Sequence, residues 1–171
     1  NNIDLILLDL NIPDSHGLSS LIHVRAIHPA LSIVVVSANE EPTTIRRALQ
    51  LGAAGFIPKS SSLEKISSAL AQVFAGSRYV PSILNDLNVP ALSDAVKTSA
   101  RKISSLTPQQ FRIASMLAQG MLNKQIAWLL KITEATVKVH MRTIMEKLDV
   151  RNRTQVALLF QTFDESTHRD Q

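Results

Sequence analysis

Hydrophobic periodicity changes once along this 171-residue chain, near its middle, and that change limits the possible folds more than any other feature. In the first half, Ile3-Asp4-Leu5-Ile6-Leu7-Leu8, Ser32-Ile33-Val34-Val35-Val36 and Ala54-Gly55-Phe56-Ile57 are short apolar runs separated by segments long enough for a helix. Such runs suit parallel strands buried on both faces. Residues 18–28 read as a helix, as do residues 42–51, opened by Pro42 and closed by Gly52, and residues 63–75, closed by Gly76. Strand and helix alternate, which predicts an open, doubly wound parallel α/β sheet.

From residue 106 to 163 the period is helical. Thr107 offers an N-cap hydroxyl, Pro108 the preset φ of a first helical residue, and Gln110 a side chain that reaches back to the cap. A helix is therefore expected from Pro108, with Ile113, Ala114, Met116 and Leu117 on its apolar face and Gly120 at its end. Asn123 is expected to cap a short second helix carrying Ile126, Ala127 and Leu130, and Thr133 a third that begins at Glu134. Two short helices joined by a tight turn predict a helix-turn-helix, so this half is all-α.

The third helix divides by angle at about 100° per residue. Val137, Met141, Ile144 and Leu148 share one face, and Lys138, Val139, Arg142, Thr143 and Glu146 lie opposite. Cations there suit guanine edges or phosphates, and a valine suits a thymine methyl. An ordinary solvated helix face has the same composition. The capped helix and turn before it favour the groove-reading face.

Charge agrees with this division. Residues 101–171 hold 11 Lys or Arg against 6 Asp or Glu, net +5, whereas residues 1–100 hold 7 against 8, net −1. Positive charge confined to the helical half is expected of a half that meets double-stranded DNA. No apolar run approaches the roughly 18 residues a membrane span needs, so a membrane partner is not expected. With no cysteine, disulfides and thiolate metal sites are excluded, which is compatible with the cytoplasm.

Each apolar run in the first half ends beside a polar residue: Asp9, Ser37 and Lys59. Sites in open α/β sheets form at the carboxyl ends of strands, so these three side chains should converge. A carboxylate, a hydroxyl and an ammonium together suit phosphoryl chemistry, with Asp9 accepting the group and Ser37 and Lys59 binding its oxygens. Singly, each has a plainer role as loop cap, strand-end hydroxyl or solvated charge. A phosphatase with Asp9 as nucleophile would want a second acid two residues on, where Asn11 stands, so an enzyme is not expected.

Leu7-Leu8-Asp9-Leu10-Asn11-Ile12-Pro13 with Gly17, then Val36-Ser37-Ala38, then Gly52-Ala53-Ala54-Gly55-Phe56-Ile57-Pro58-Lys59 resembles the receiver domain of bacterial two-component response regulators. Leu106-Thr107-Pro108, Asn123-Lys124-Gln125-Ile126-Ala127 and Thr136-Val137-Lys138-Val139-His140 resemble the LuxR-type output domain of the NarL/FixJ subfamily. The resemblance implies a flavodoxin-like receiver over residues 1–80, a linker over 81–105, a helix-turn-helix domain over 106–163 and a polar tail over 164–171. It implies Asp9 as phosphoacceptor, with Ser37, Phe56 and Lys59 as the phospho-switch residues, Phe56 turning inward on activation. It further implies a Mg2+ ion held by Asp9 and the main-chain carbonyl of Asn11, together with an acidic pair from two βα units of roughly 45 residues that do not precede Ile3. The receiver is therefore expected to be N-terminally incomplete.

In the output domain the resemblance assigns Lys138, Val139 and Arg142 to the groove and Lys124 and Thr136 to phosphates. It makes residues 153–163 a dimerisation helix, and so implies a homodimer. The function implied is a cytoplasmic transcriptional regulator whose DNA binding is controlled by aspartyl phosphorylation from a cognate histidine kinase. The alternative is a phosphorylation-independent DNA-binding regulator with a degenerate or shortened receiver. Three further expectations concern single residues and segments. Residues 92–102 form a short helix within the linker, His16, His23 and His28 take surface or loop roles, and Trp128 with Leu129 docks against the receiver or linker.

Overall fold

The computed structural model describes residues 3–11, 17–84 and 91–164. Three parallel strands, β1 (Leu5–Asp9), β2 (Ser32–Ser37) and β3 (Gly55–Pro58), form a sheet in the order β1-β2-β3, with Leu5 opposite Ser32 and Val34 opposite Gly55. The crossovers are α1 (Leu18–Ile27) and α2 (Pro42–Gln50), and α3 (Leu63–Phe74) follows β3. Alternation along β2 sends Ile33 and Val35 to one face, where with Phe56 they meet Leu21, Ile22, Ile45 and Ala48 of α1 and α2. Val34 and Ile57 point the other way, onto Ala69 and Val73 of α3. Helices on both faces make the sheet doubly wound, as the spacing predicts.

One expectation about the strands is corrected. β2 and most of β3 are buried on both faces, but β1 is not: Leu7 is 54% exposed, and Leu8 is the residue of this strand that is fully inside. α3 lies over β2 and β3 and reaches β1 only at Leu5, so the face that carries Leu7 is uncovered among the described residues.

Among the described residues between the halves, the short helix expected over residues 92–102 is present. After a 3-10 turn at Ser82–Leu84, α4 (Asp94–Ser104) is capped by Ser93, whose hydroxyl accepts from Val96 N–H at 3.3 Å. Ile103 is fully buried, and α4 packs against α1 and against a helix of the second half. Burial of one apolar stripe on both neighbours explains why a sequence of weak local propensity is helical.

Four helices follow: α5 (Pro108–Ala118), α6 (Asn123–Leu130), α7 (Glu134–Leu148) and α8 (Arg153–Gln161). Thr107 and Gln110 form the expected capping box, and Gln110 also accepts from Lys147 Nζ at 2.9 Å, tying the start of α5 to α7. Thr133 caps α7 as expected. Asn123 does not cap α6. It is the first helical residue, and the cap is Leu122, whose N–H donates to Gln125 Oε1 at 2.7 Å. Ile113, Ile126, Val137, Ile144, Leu148, Val156 and Phe160 close the core of this half.

Candidate functional site

Lys59 gathers the three strand ends. Its ammonium donates to Asp9 Oδ2 at 2.6 Å, and its backbone N–H donates to the carbonyl of Ser37 at 2.8 Å. Asp9 Oδ1 accepts from the N–H of Asn11 at 3.0 Å. The hydrogen bond from Lys59, then that from the Asn11 backbone, hold the Asp9 carboxyl below the usual carboxylate range. It is an ionised, partly exposed carboxylate with a cation against it.

The hydroxyl and the aromatic ring are placed differently. Ser37 is fully buried and its Oγ accepts from Asn39 N–H at 3.0 Å, turning toward its own loop. Phe56 is fully buried in the sheet core. Glu40, absent from the sequence reading, accepts a hydrogen bond from Ser60 Oγ and so ties the β2 and β3 loops. Neither residue type nor spacing signals that pair, because it depends on two loops meeting across about 20 residues.

Magnesium takes about six oxygen ligands in near-octahedral array. This edge offers the Asp9 carboxylate, already engaged by Lys59, and the Asn11 carbonyl. Among the described residues no group of three or more His, Cys, Asp or Glu is arranged to hold a metal. These residues do not make up a magnesium site by themselves.

The second candidate surface is α7. Lys138, Val139 and Arg142 are exposed on its outer face, Val139 to 66%, while Val137, Ile144 and Leu148 are buried on the inner one. Arg142 Nε donates to Glu146 Oε1 at 3.1 Å, one turn along. Lys124 is exposed on α6, and the Thr136 hydroxyl shares a hydrogen bond with that of the cap Thr133 at 2.8 Å. No acidic partner engages Lys124 or Lys138 in the ion pairs of the described residues.

Two expectations about contacts between the halves are reversed. His23 is buried: its ring stacks on Phe111 of α5 with centroids 4.0 Å apart and planes 4° from parallel, and Phe111 in turn meets Phe160 of α8. Burial pushes the His23 imidazole down to about 4. The N–H of Leu18 donates to the carbonyl of buried Phe163 at 2.9 Å, so α1 is joined to both α5 and the end of α8. Trp128, by contrast, docks on neither the sheet half nor α4. It is 79% exposed beside a groove of about 370 Å3 lined with Met121, Lys124, Gln125 and Leu129. Among the described residues no helix is long and apolar enough to cross a membrane.

Residues 1–71 match the family model "Response regulator receiver domain" and residues 104–160 match "Bacterial regulatory proteins, luxR family". The chain is 36% identical over 170 residues to the "Glycerol metabolism activator" of Pseudomonas putida, covering 92% of this chain and 73% of that protein. It is 36% identical over 155 residues to the "Nitrate/nitrite response regulator protein NarL" of Escherichia coli K12, covering 91% and 72% respectively. A solved structure of the RcsB response regulator of Salmonella typhimurium aligns over 94% of this chain and 76% of its own at a TM-score of 0.47 and 21% identity. With a receiver sheet at its start, a helix-turn-helix at its end and relatives at this identity along most of its length, the chain belongs to the NarL/FixJ-type response regulators, phosphorylation-regulated transcriptional regulators with a LuxR-type output domain.

Proposed function

We propose that Asp9 is the phosphoacceptor and that its charge state governs how the output domain meets DNA. The observation that carries this reading is the Asp9–Lys59 contact at the carboxyl edge of the sheet. An Asp9 oxygen attacks the phosphorus of a phosphohistidine on the cognate histidine kinase. The new P–O bond replaces the P–N bond, and the departing imidazole nitrogen keeps its electron pair. Lys59, already against the carboxylate, pairs with the phosphoryl oxygens. Ser37, whose Oγ accepts from Asn39 N–H, donates its O–H to them, so the β2 loop is the element biased by the new charge. Asp9 and the Asn11 carbonyl would be two of the oxygen ligands of a Mg2+ ion whose other ligands lie outside these residues, and such an ion would supply neutralisation of phosphoryl charge.

On the output side, Lys138, Val139 and Arg142 read the major groove while Lys124 and Thr136 contact phosphates. Residues 1–80 act as receiver, 81–105 as the connection that carries α4, and 106–163 as the DNA-binding unit. α8 serves homodimerisation in the cytoplasm, a role supported by the exposure of Leu158 beside buried Val156 and Phe160. Just past the end of this helix the Phe163 carbonyl accepts from Leu18 N–H of α1, so releasing the receiver would free it.

Acetyl phosphate followed by peptide mass spectrometry tests the acceptor. Label is expected on the Asp9 peptide and should vanish in Asp9→Asn. With only two oxygen donors described, labelling of this 171-residue chain should be slow and little accelerated by magnesium. Label at another residue overturns the assignment, and rapid magnesium-dependent labelling of this chain overturns the donor count. For DNA, Lys124→Ala should weaken cognate and random duplexes alike and lower the salt slope by about one.

A further inference from the structure

We propose that Glu146 is a positioning residue that sets the base preference of Arg142. The inference rests on the reading of Arg142 as a groove-facing side chain. Both residues stand on the outer face of α7, 83% and 62% exposed in their side chains, and Arg142 Nε donates to Glu146 Oε1 at 3.1 Å. A guanidinium has five N–H donors in a planar fork. With Nε held by Glu146, the two terminal nitrogens remain free as a pair, which is the geometry that guanine O6 and N7 accept. The carboxylate thus fixes the plane of the fork rather than competing for it.

The neighbouring charges leave Glu146 to this task. Asp149, the other acid at this end of the helix, pairs with Lys102 at 3.1 Å, and Lys147 donates to Ser105 O and Gln110 Oε1 on the inner side. In the free protein an exposed pair one turn apart is worth little. Between α7 and a base edge water is excluded, and there the hydrogen bond holds a side chain that otherwise has many rotamers. Glu146 also puts a negative charge among phosphates, which lowers affinity for every sequence. The residue therefore trades general affinity for discrimination, and the two effects separate experimentally.

Duplexes selected from a randomised library by the 171-residue chain, followed by anisotropy titrations on single-base variants, provide the test. Arg142→Ala should relax preference at one base pair. Glu146→Gln should relax the same base pair by about 5- to 10-fold while binding random duplex more tightly than the parent. Glu146→Asp keeps the charge but not the reach, so it should lose the preference without gaining random affinity. The double variant should match Arg142→Ala at that base pair, the non-additivity expected of one unit. If Arg142→Ala relaxes a position that Glu146→Gln leaves intact, the positioning role is overturned and the groove reading stands. If Arg142→Ala relaxes none, the groove reading of Arg142 fails instead. Circular dichroism of each variant, altered only at exposed side chains, should overlay the parent.

Discussion

At the scale of single residues, two ionisable groups respond to their surroundings in opposite chemical senses but with the same pH sign. Asp9 has a folded-state pKa below its unfolded one, so its contribution to stability is present above the unfolded value and lost as pH falls through the folded value. Removing the main cause, as in Lys59→Met, should move the Asp9 titration up toward the ordinary carboxylate range. Carboxyl-detected NMR titration of parent and variant checks this, and an unmoved Asp9 would show that the hydrogen bond from Asn11 N–H dominates instead.

His23 likewise has a folded pKa below its unfolded value, here because burial disfavours the cation. The unfolded chain binds more protons between pH 6.5 and about 4, so the stability His23 supports is complete above 6.5 and falls as the pH is lowered across that window. His23→Phe keeps a ring against Phe111 and removes the proton site. Melting curves should show the variant losing less stability than the parent between pH 7 and 5. Parallel losses would mean that other groups carry the acid sensitivity.

Among the secondary elements, α6 departs most from the expected pattern of contacts. Its inner side, Ile126 and Ala127, is buried as periodicity predicts, and its outer side carries Trp128, Leu129 and Leu122 into solvent. Without a dock against the receiver, Trp128→Arg has no contact to release. What remains is charge: an added cation near Lys124, at the end of the proposed DNA surface, should raise affinity for cognate and random duplex alike and steepen the salt dependence by up to about one unit. Titrations at two salt concentrations decide this. A gain confined to the cognate site would indicate a base contact. The emission of Trp128, the chain's one tryptophan, should be that of a solvated indole.

At the scale of the whole molecule, the described residues leave one side of β1 open, and a polypeptide of these 171 residues carries that side into solution. Leu7 of β1 and Ile3 just before it are exposed, the strand's outer edge pairs with no described residue, and unpaired apolar edges template association. A polypeptide of these 171 residues should self-associate with rising concentration, and Leu7→Lys should shift it toward monomer in light scattering. A parent that stays monomeric, with cooperative unfolding of the sheet half, would contradict this.

Local chemistry made much of this molecule legible before any contact was known. Thr107-Pro108 with Gln110, Thr133 before Glu134, and Gly52, Gly76 and Gly120 after their helices are signals whose physics acts within one turn, and the elements follow them closely. The meeting of Asp9 with Lys59 was readable too, because parallel strands bring their carboxyl ends to one edge. Signals within one turn say nothing about which faces meet. Only tertiary packing decided that α4 docks on α1, that His23 lies inside against Phe111, that Leu7 is uncovered and that Trp128 stays in solvent. Each of those depends on the summed burial of surfaces distant in sequence, and no single residue's propensity encodes that sum.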